Sequence, residues 1–273
     1  MKWQPFGGDE VRRCDPERAA FVLLPVPYDK TATYRKGTAE GPRAILEASS
    51  QVELFDEECR LDPTERGVFT AEPLTTDAMP DVLAEQLEAE VRPLLDRGKI
   101  VGCLGGEHSI SLGPIRAAAR AHPGLGILQI DAHPDLRDKY EGTPFGHGCV
   151  MRRALEAQDV ACLVGVGWRS VSQEDDIAMG EHRIHAHFAH ELWRRPPTEW
   201  IDEVIAPLPE RVYVTIDVDG LDPSIVPGTG TPEPGGLAWW DTMALLKAVC
   251  ARRNVVAFDV VEVLPEPPSC VSE

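Results

Sequence analysis

Three short segments of the chain place acidic residues and histidines at spacings that suit metal binding. They are Gly105-Gly106-Glu107-His108, Asp131-Ala132-His133-Pro134-Asp135 and Asp217-Val218-Asp219, and each follows an apolar run. A carboxylate at the end of a buried strand loses hydration, which is costly unless a positive group neutralises it. A bound metal ion would neutralise it directly. The pattern therefore predicts a metal centre where three strands end.

The candidate metal ligands comprise imidazoles and carboxylates. They are His108, Asp131, His133, Asp135, Asp217 and Asp219. A tetrahedral zinc ion takes four ligands, whereas two hard or borderline ions such as Mn²⁺ can share bridging carboxylates within a larger set. An isolated Asp-x-His or Asp-x-Asp is usually a capped turn, and a lone His108 would be an ordinary loop histidine. Three such segments at successive strand ends favour a centre for two metal ions.

Apolar runs rich in β-branched residues predict the buried strands that position these ligands. The predicted strands are Phe21–Val26, Ile100–Leu104, Leu125–Ile130, Cys162–Val166, Val212–Ile216 and Val255–Val261. Helix-like segments lie between them, at Gly41–Leu46, Asp81–Leu95, Gly113–Ala121 and Trp240–Arg252. This alternation predicts an α/β fold with three αβα layers and a mostly parallel central sheet, whose strand ends carry the chemistry.

The length and composition of the chain fit one domain. Its 273 residues are 43% apolar, which is enough for one large core. The proline-rich pieces Arg195-Pro196-Pro197 and Pro265-Glu266-Pro267-Pro268 predict a helix boundary and a loop. Neither is long enough to be an interdomain linker, so residues 1–273 are expected to form a single catalytic domain.

The charge balance and the cysteines exclude several classes of protein. Forty-five acidic and 27 basic side chains give a net charge of -18, which repels nucleic acid and anionic membranes and attracts cations. Acidity that serves only solubility would look the same. The sequence has no signal-like start and no apolar run near the ~20 residues of a membrane span. Because its 7 cysteines are scattered without a CxxC pair, a cytoplasmic protein with reduced thiols is expected.

Several longer motifs carry a resemblance to a known family. They are Pro25-Val26-Pro27-Tyr28, the segment 37–43 (GTAEGPR), the segment 217–223 (DVDGLDP), the segment 227–232 (PGTGTP) and Asp259-Val260-Val261-Glu262. With these motifs the sequence resembles the ureohydrolase family, which includes arginase and agmatinase, and within it the agmatinase branch. The resemblance runs over nearly the whole chain and implies the arginase-like αβα fold.

The resemblance also implies two manganese ions per chain and a role for each candidate ligand. The first ion would be held by His108, Asp131, Asp135 and Asp217, and the second by His133, Asp131, Asp217 and Asp219. Asp131 and Asp217 would then bridge the two ions, together with a hydroxide.

Three residues take catalytic roles by the same resemblance. Asp135 would pass a proton to the leaving amine, and His147 matches a mobile acid/base histidine. Glu262 matches the carboxylate that grips the guanidinium, with Asp259 beneath it as support. The alternatives are a plain loop histidine at 147 and a surface strand-end charge at 262.

The implied reaction is hydrolysis of a small cationic guanidino compound to urea and an amine, with agmatine giving putrescine. Agmatine is favoured because the segment 136–144 (LRDKYEGTP) resembles agmatinases and lacks the Asn and Ser with which arginases receive an amino acid. Guanidinobutyrate, guanidinopropionate, aminopropyl-agmatine and arginine remain alternatives. The family also implies a homo-oligomer, a trimer or hexamer.

Other function classes fit the residues less well. A zinc deacetylase would need an adjacent His-His pair, and a Rossmann-type nucleotide binder would need a third glycine after Gly228-x-Gly230. A catalytically silent, metal-binding regulatory homologue remains open, although the full set of ligands together with His147 and Glu262 argues against it.

Three features depart from the family pattern or lie outside it. Glu107 stands where much of the family has Asp, and as a neighbour of the ligands it would tune metal affinity. Glu233 is interpreted as a solvated loop charge, with the substrate channel as the alternative. The cluster His182, His185, His187 and His190 has no metal-site spacing and is expected to be structural.

Overall fold

The computed structural model describes residues 3–8, 11, 14–181, 183–266 and 271–273. Within these residues one parallel sheet of eight strands crosses the molecule. The strands are β1 (Phe21–Val26), β2 (Val68–Thr70), β3 (Ile100–Gly105), β4 (Leu125–Ile130), β5 (Val160–Trp168), β6 (Ile184–Phe188), β7 (Arg211–Asp217) and β8 (Asn254–Val261). The described strand pairings are all parallel, so the prediction of a mostly parallel sheet is confirmed.

Helices connect the strands. They are α1 (Gly41–Ala48), α2 (Pro80–Asp96), α3 (Leu112–Ala121), α4 (Val150–Leu155), α5 (Gln173–Glu181), α6 (Ala189–Leu192), α7 (Pro197–Ile205) and α8 (Trp239–Arg252). Short 3-10 helices at His108–Ser111, His147–Cys149 and Val218–Gly220 follow β3, precede α4 and follow β7. No helix among the described residues has the length and apolar composition to cross a membrane.

Two apolar cores cover the two faces of the sheet. Ile127 of β4 packs in one core with residues of α2, α3 and α4, whereas its neighbour Leu128 packs in the other with residues of α7 and α8. Successive side chains of a strand point to opposite faces, so both faces of β4 are buried. This arrangement confirms the three-layer αβα prediction.

The strand order brings the candidate ligands to the middle of one sheet edge. The order is β2-β1-β3-β8-β7-β4-β5-β6, so β3, β8, β7 and β4 are consecutive neighbours. After β3 the chain crosses to β4, which lies three positions away in the same sheet. The strands between them, β8 and β7, come later in the sequence. The crevice at the carboxyl ends of strands beside such a crossover is where open α/β sheets bind ligands.

Two strands and several helices were not predicted from the sequence. The two strands, β2 and β6, are the outer strands of the sheet, and β2 has only three residues. β6 lies inside the predicted histidine cluster, whose first member, His182, is outside the described residues. The described cysteines are free thiols, as expected, and Cys270 also lies outside the described residues.

Candidate metal centre

The ends of β3, β4 and β7 bring the predicted ligands into contact. The ligand atoms of His108, Asp131 and Asp135 all lie within 4.8 Å of one another. The same holds for Asp131, His133 and Asp219. Because Asp131 belongs to both groups, the two potential metal positions adjoin each other and share a carboxylate.

The ring of His108 is oriented as a metal ligand would be. Its Nε2 lies 2.8 Å from the Thr215 hydroxyl, and that hydroxyl donates to Asp259 at 2.6 Å. Since the hydroxyl proton is already donated to Asp259, the Thr215 oxygen accepts a hydrogen bond from Nε2–H, and Nδ1 keeps its lone pair. Such a hydrogen bond to the second ring nitrogen typically fixes a histidine ligand.

The lone pair of His108 Nδ1 faces negative charge. Nδ1 lies 3.1 Å from Asp131 Oδ2, 3.0 Å from Asp135 Oδ2 and 3.5 Å from Asp217 Oδ2, yet this buried atom has no hydrogen-bond partner. An unpaired nitrogen beside three carboxylates is unfavourable unless a cation lies between them. The donor set therefore fits a bound metal ion.

Asp259 supports His108 rather than Glu262. Its two oxygens accept hydrogen bonds of 2.6 Å from the hydroxyls of Tyr213 and Thr215, and burial raises its pKa. The expectation that Asp259 lies beneath Glu262 as its support is therefore corrected: the described hydrogen bonds of Asp259 lead through Thr215 to His108.

The second group is held mainly by backbone donors and hydroxyls. His133 Nδ1 lies 3.1 Å from Asp219 Oδ2 and 3.5 Å from Asp131 Oδ1. Asp219 accepts hydrogen bonds of 3.0 Å from the Ala132 N–H and from the Thr231 hydroxyl. The carboxylate of Asp219 is thus fixed beside His133.

The crowded carboxyl groups of the site favour a bound cation. Burial, and next the charge of Asp131, raise the pKa of Asp135 to about 7. Burial, and next Asp219 and Asp131, raise the pKa of Asp217 well above its usual value. Carboxyls crowded in a dry site resist ionisation unless a cation is present. Metal binding would relieve that repulsion.

Two predicted site residues have strained backbones. Asp135 has φ of 55° and Glu262 has φ of 64°, a left-handed conformation that costs a non-glycine residue roughly 1–3 kcal/mol and often marks functional sites. Glu262 is 6% exposed, and burial, with Glu107 nearby, raises its pKa well above the usual value. The alternative of a surface charge at position 262 is therefore excluded.

A cavity of about 200 Å³ opens onto these groups. Its lining includes the predicted residues His108, His133, Asp135, His147, Asp217 and Glu262. It also includes Thr33, Arg137, Tyr140 and Thr231. The sequence motifs contain Arg137, Tyr140 and Thr231 without giving any of them a role, and no motif marks Thr33. The remaining predicted ligands, Asp131 and Asp219, are fully buried next to it.

His147 lies on the wall of this cavity. Its ring meets Tyr140 edge to face, with ring centroids 5.5 Å apart. Burial, together with His108 and His133, lowers its pKa to about 4. At neutral pH its imidazole is therefore uncharged and able to accept a proton.

Comparison with known proteins identifies the family. The model of the arginase family matches residues 19–269. The chain belongs to the arginase family. It is a hydrolase of the ureohydrolase type, with the buried His/Asp metal-binding cluster described above.

Relatives of this ureohydrolase carry two kinds of name. The N(1)-aminopropylagmatine ureohydrolase of Synechocystis is 39% identical over 263 residues, covering 93% of this chain and 85% of that protein. The agmatinase of Pyrococcus horikoshii is 33% identical over 258 residues, covering 93% and 87%. The crystal structure of the agmatine ureohydrolase of Thermoplasma volcanium matches with a TM-score of 0.89 and 28% identity, covering 100% of this chain and 90% of that one.

Glu107 of this arginase-family chain is a buried anchor next to the metal centre. Its carboxylate accepts hydrogen bonds from Thr31 N at 2.6 Å, from Thr31 Oγ1 at 2.5 Å and from the Ser109 hydroxyl. These bonds tie the end of β3 to the loop after β1. Its described hydrogen bonds do not reach the ligand side chains, so its effect on them is through position.

Two other features of this ureohydrolase lie away from the ligands. Glu233 does not line the cavity, in agreement with a solvated loop charge. His185 and His187 lie on β6, and His190 stacks on Phe188 with ring centroids 5.7 Å apart. Among the described residues, neither metal-ligand group includes a histidine of this cluster.

Proposed function

We propose that this ureohydrolase converts agmatine to putrescine and urea at a centre of two Mn²⁺ ions. The observation that supports this proposal is the pair of ligand groups that share Asp131, beside a cavity lined by Glu262 and His147. Residues 1–273 would act as one catalytic domain, and the family match over residues 19–269 agrees with this.

The proposed ligands extend the two ligand groups by Asp217, which belongs to neither group and lies 3.5 Å from His108 Nδ1. His108, Asp135, Asp131 and Asp217 would hold one ion, and His133, Asp219, Asp131 and Asp217 would hold the other. Bound there, two divalent ions would acidify a water molecule and so supply a hydroxide nucleophile near neutral pH. Carboxylate oxygens and imidazole nitrogens in such a cluster fit Mn²⁺.

Glu262 would hold the guanidinium of the substrate. One of its oxygens accepts a hydrogen bond of 2.8 Å from the His108 N–H, which leaves the other oxygen to accept from the guanidinium. The charge pair would offset the burial that raises the pKa of this carboxyl. Fixing the guanidinium in this way would hold its carbon over the ligand cluster.

Two groups would move protons. Asp135 lines the cavity beside the ligand cluster, where its carboxylate can take and return a proton as a general base. It would accept the proton of the attacking water and pass it to the leaving amine. His147, neutral at the cavity wall, would take a proton from solvent and pass it to the released amine.

The charges beyond the reaction centre act on the substrate tail. Asp135, Asp217 and Glu262 are assigned above to the metals and the guanidinium, so the remaining carboxylate and guanidinium of the cavity lining are those of Asp175 and Arg137. The net charge of -18 attracts a cationic tail over longer distances. Agmatine has an ammonium at the end of its chain, whereas arginine adds a carboxylate there.

N1-aminopropylagmatine is the second candidate substrate. A cavity of about 600 Å³ adjoins the first and shares Thr33, Tyr140 and His147 with it. Met79 and Glu141 also line it, which offers an apolar surface for methylenes and a carboxylate for a terminal ammonium. The name of the Synechocystis relative also favours this candidate.

Urea release from a panel of guanidino compounds would test the proposal. Manganese-loaded protein would be assayed with agmatine, N1-aminopropylagmatine, 4-guanidinobutyrate, 3-guanidinopropionate and arginine. We expect agmatine to exceed arginine in kcat/KM by at least an order of magnitude, since a buried site rejects an added charge strongly. If N1-aminopropylagmatine exceeds agmatine, the second candidate replaces the first. No urea from any compound would contradict the proposed function and favour a silent regulatory homologue.

The oligomer and the location of the enzyme also remain proposals. We propose a homo-oligomer, a trimer or hexamer, in the cytoplasm. Light scattering coupled to size exclusion would measure the number of chains, and a monomer that is fully active would contradict the oligomer.

A further inference from the structure

Arg169 follows directly after β5, and its guanidinium is turned towards backbone carbonyls. Nε donates to the carbonyls of Glu233 and Pro234, both at 3.2 Å. Nη1 donates to Gly167 at 3.0 Å and Gly220 at 3.3 Å. The third nitrogen, Nη2, adds bonds to the carbonyls of Asp219 at 2.6 Å, Glu233 at 2.7 Å and Leu221 at 3.3 Å.

These bonds join several loops at the metal centre. The carbonyls of Asp219, Gly220 and Leu221 belong to the turn after β7, and those of Glu233 and Pro234 belong to the loop that follows Thr231. The backbone N–H groups of Arg169 and Ser170 both donate to the Ala132 carbonyl, at 2.9 and 3.0 Å. One residue thus ties the ends of β4 and β7 to the 231–234 loop.

The loops that Arg169 joins carry one half of the metal centre. Asp219 is in the clamped turn, Ala132 lies between Asp131 and His133, and Thr231 donates to the Asp219 carboxylate. The other half is held differently. His108 is fixed by Thr215, and the Asp135 carbonyl accepts from the N–H groups of Met151 and Arg152.

The Arg169 guanidinium binds backbone carbonyls instead of pairing with a carboxylate. Among the described residues, no carboxylate lies within ion-pair distance of its guanidinium, and its described side-chain hydrogen bonds all go to carbonyls. It does not line the substrate cavity. The planar fork of a guanidinium can serve several acceptors at once, whereas a lysine ammonium carries the same charge with three donors at one point.

We propose that Arg169 is a positioning residue that holds Asp219 and His133 in binding geometry and so sets the affinity for the second metal ion. This inference rests on the proposed two-metal function. Residues that orient metal ligands typically change metal affinity by about 10- to 100-fold when they are replaced. Loss of the Arg169 hydrogen bonds would therefore weaken the binding of the second ion more than the binding of the first.

The test is a manganese titration of metal-free protein, with free Mn²⁺ followed by its electron paramagnetic resonance signal. Wild type is compared with Arg169→Lys and Arg169→Met. Arg253→Lys is the matched control, because Arg253 also caps backbone carbonyls, those of Leu208, Arg252 and Ile205, each at 2.9 Å. Arg253 immediately precedes β8, whereas the metal centre is at the carboxyl ends of the strands. Thermal melts check that each variant folds.

We expect Arg253→Lys to bind both ions with the same affinities as wild type. Arg169→Lys should bind the first ion normally and the second at least about tenfold more weakly. At two equivalents its spectrum should be that of isolated Mn²⁺, without the signature of a spin-coupled pair. If Arg169→Lys binds both ions like wild type, or weakens both steps equally, the inference is wrong while the two-metal function stands. If wild type binds only one ion, the two-metal function itself fails and the inference with it.

Discussion

Glu262 accepts a hydrogen bond of 2.8 Å from the backbone N–H of His108, 154 residues earlier in the chain. The Glu262 N–H in turn donates to the Gly106 carbonyl at 2.7 Å. These bonds are formed because β3 and β8 are neighbours and end at the same edge. They fix Glu262, the carboxylate proposed to bind the substrate, to the segment that carries the proposed metal ligand His108.

Replacing Glu262 with Gln should disable substrate binding and leave the metal ligands in place. Glutamine keeps the size but loses the charge, so the guanidinium loses a charge-assisted pair. Removal of such a partner in a desolvated site costs roughly 2 to 4 kcal/mol, or about 30- to 900-fold in kcat/KM. Steady-state urea release from agmatine measures the loss, and metal analysis checks that manganese content is unchanged. Glu233→Gln is the control, and near-normal activity of Glu262→Gln would assign the guanidinium to another carboxylate.

Replacing Thr215 with Val should weaken metal binding through His108. Valine keeps the shape but removes both the acceptor for His108 Nε2 and the donor to Asp259. We expect metal affinity to fall by about 10- to 100-fold, as measured by competition with a chelator. Thr242→Val is the matched control, because Thr242 is a buried threonine of α8 that bonds only the Ala238 carbonyl among the described contacts of its side chain. Equal affinities of the two variants would show that the Thr215 contact does not orient the ligand.

Metal affinity should rise with pH. Burial and Asp131 raise the pKa of Asp135 to about 7, and burial and Asp219 raise the pKa of Asp217 well above its usual value. Both carboxyls therefore retain protons more readily in the metal-free protein. Manganese must displace these protons, so binding should strengthen from pH 6 to pH 8 and should release protons. Calorimetry in buffers of different ionisation enthalpy measures the release. Binding that is independent of pH, with no proton release, would contradict the raised pKa values.

The stability of the metal-free protein should change in the opposite direction. The pKa of Asp135 is higher in the folded protein than the ~3.9 of an unfolded chain. The folded state therefore binds the extra proton, and this stabilisation is fully present below pH ~3.9 and lost as pH rises through 7. The Tm of metal-free protein should fall between pH 5 and pH 8, and manganese should restore it most at the higher pH. An Asp135→Asn variant should show a smaller fall, and an equal fall would assign the effect to other groups.

Arg137 provides a test of the charge of the substrate tail. It lines the cavity, and its guanidinium lies 4.6 Å from the centroid of the Tyr140 ring. Its charge repels an ammonium and attracts a carboxylate, so Arg137→Met should maintain or raise kcat/KM with agmatine and lower any rate with 4-guanidinobutyrate. Lys139→Met, on the same loop but outside the cavity lining, is the control. A large loss with agmatine alone would mean that Arg137 supports the cationic substrate by another route.

Sequence reasoning could predict the elements that have a strong local signal. The apolar runs at β3, β4, β7 and β8 are buried, and the acidic segments follow them directly, so both the strands and the ligands were predictable. β6 (Ile184–Phe188) was missed because histidines interrupt its apolar pattern. α5 (Gln173–Glu181) was missed because acidic residues fill its first turn and it has no clear apolar face.

The contacts that support the site could not be predicted in the same way. Thr31 lies 76 residues before its partner Glu107, and Arg169 lies 64 residues before Glu233. Such pairs meet only because of the strand order, and a single sequence contains no periodicity or motif that records them. The role of Asp259 was misassigned for the same reason, since its partners Tyr213 and Thr215 lie on the neighbouring strand β7.

The most direct test of the two-metal ureohydrolase is to titrate metal-free protein with manganese and measure urea release from agmatine at each step. The shared Asp131 between two ligand groups predicts that activity rises until two equivalents per chain are bound and then remains constant. Full activity at one equivalent would contradict the two-metal centre, and no urea at any loading would contradict agmatine hydrolysis.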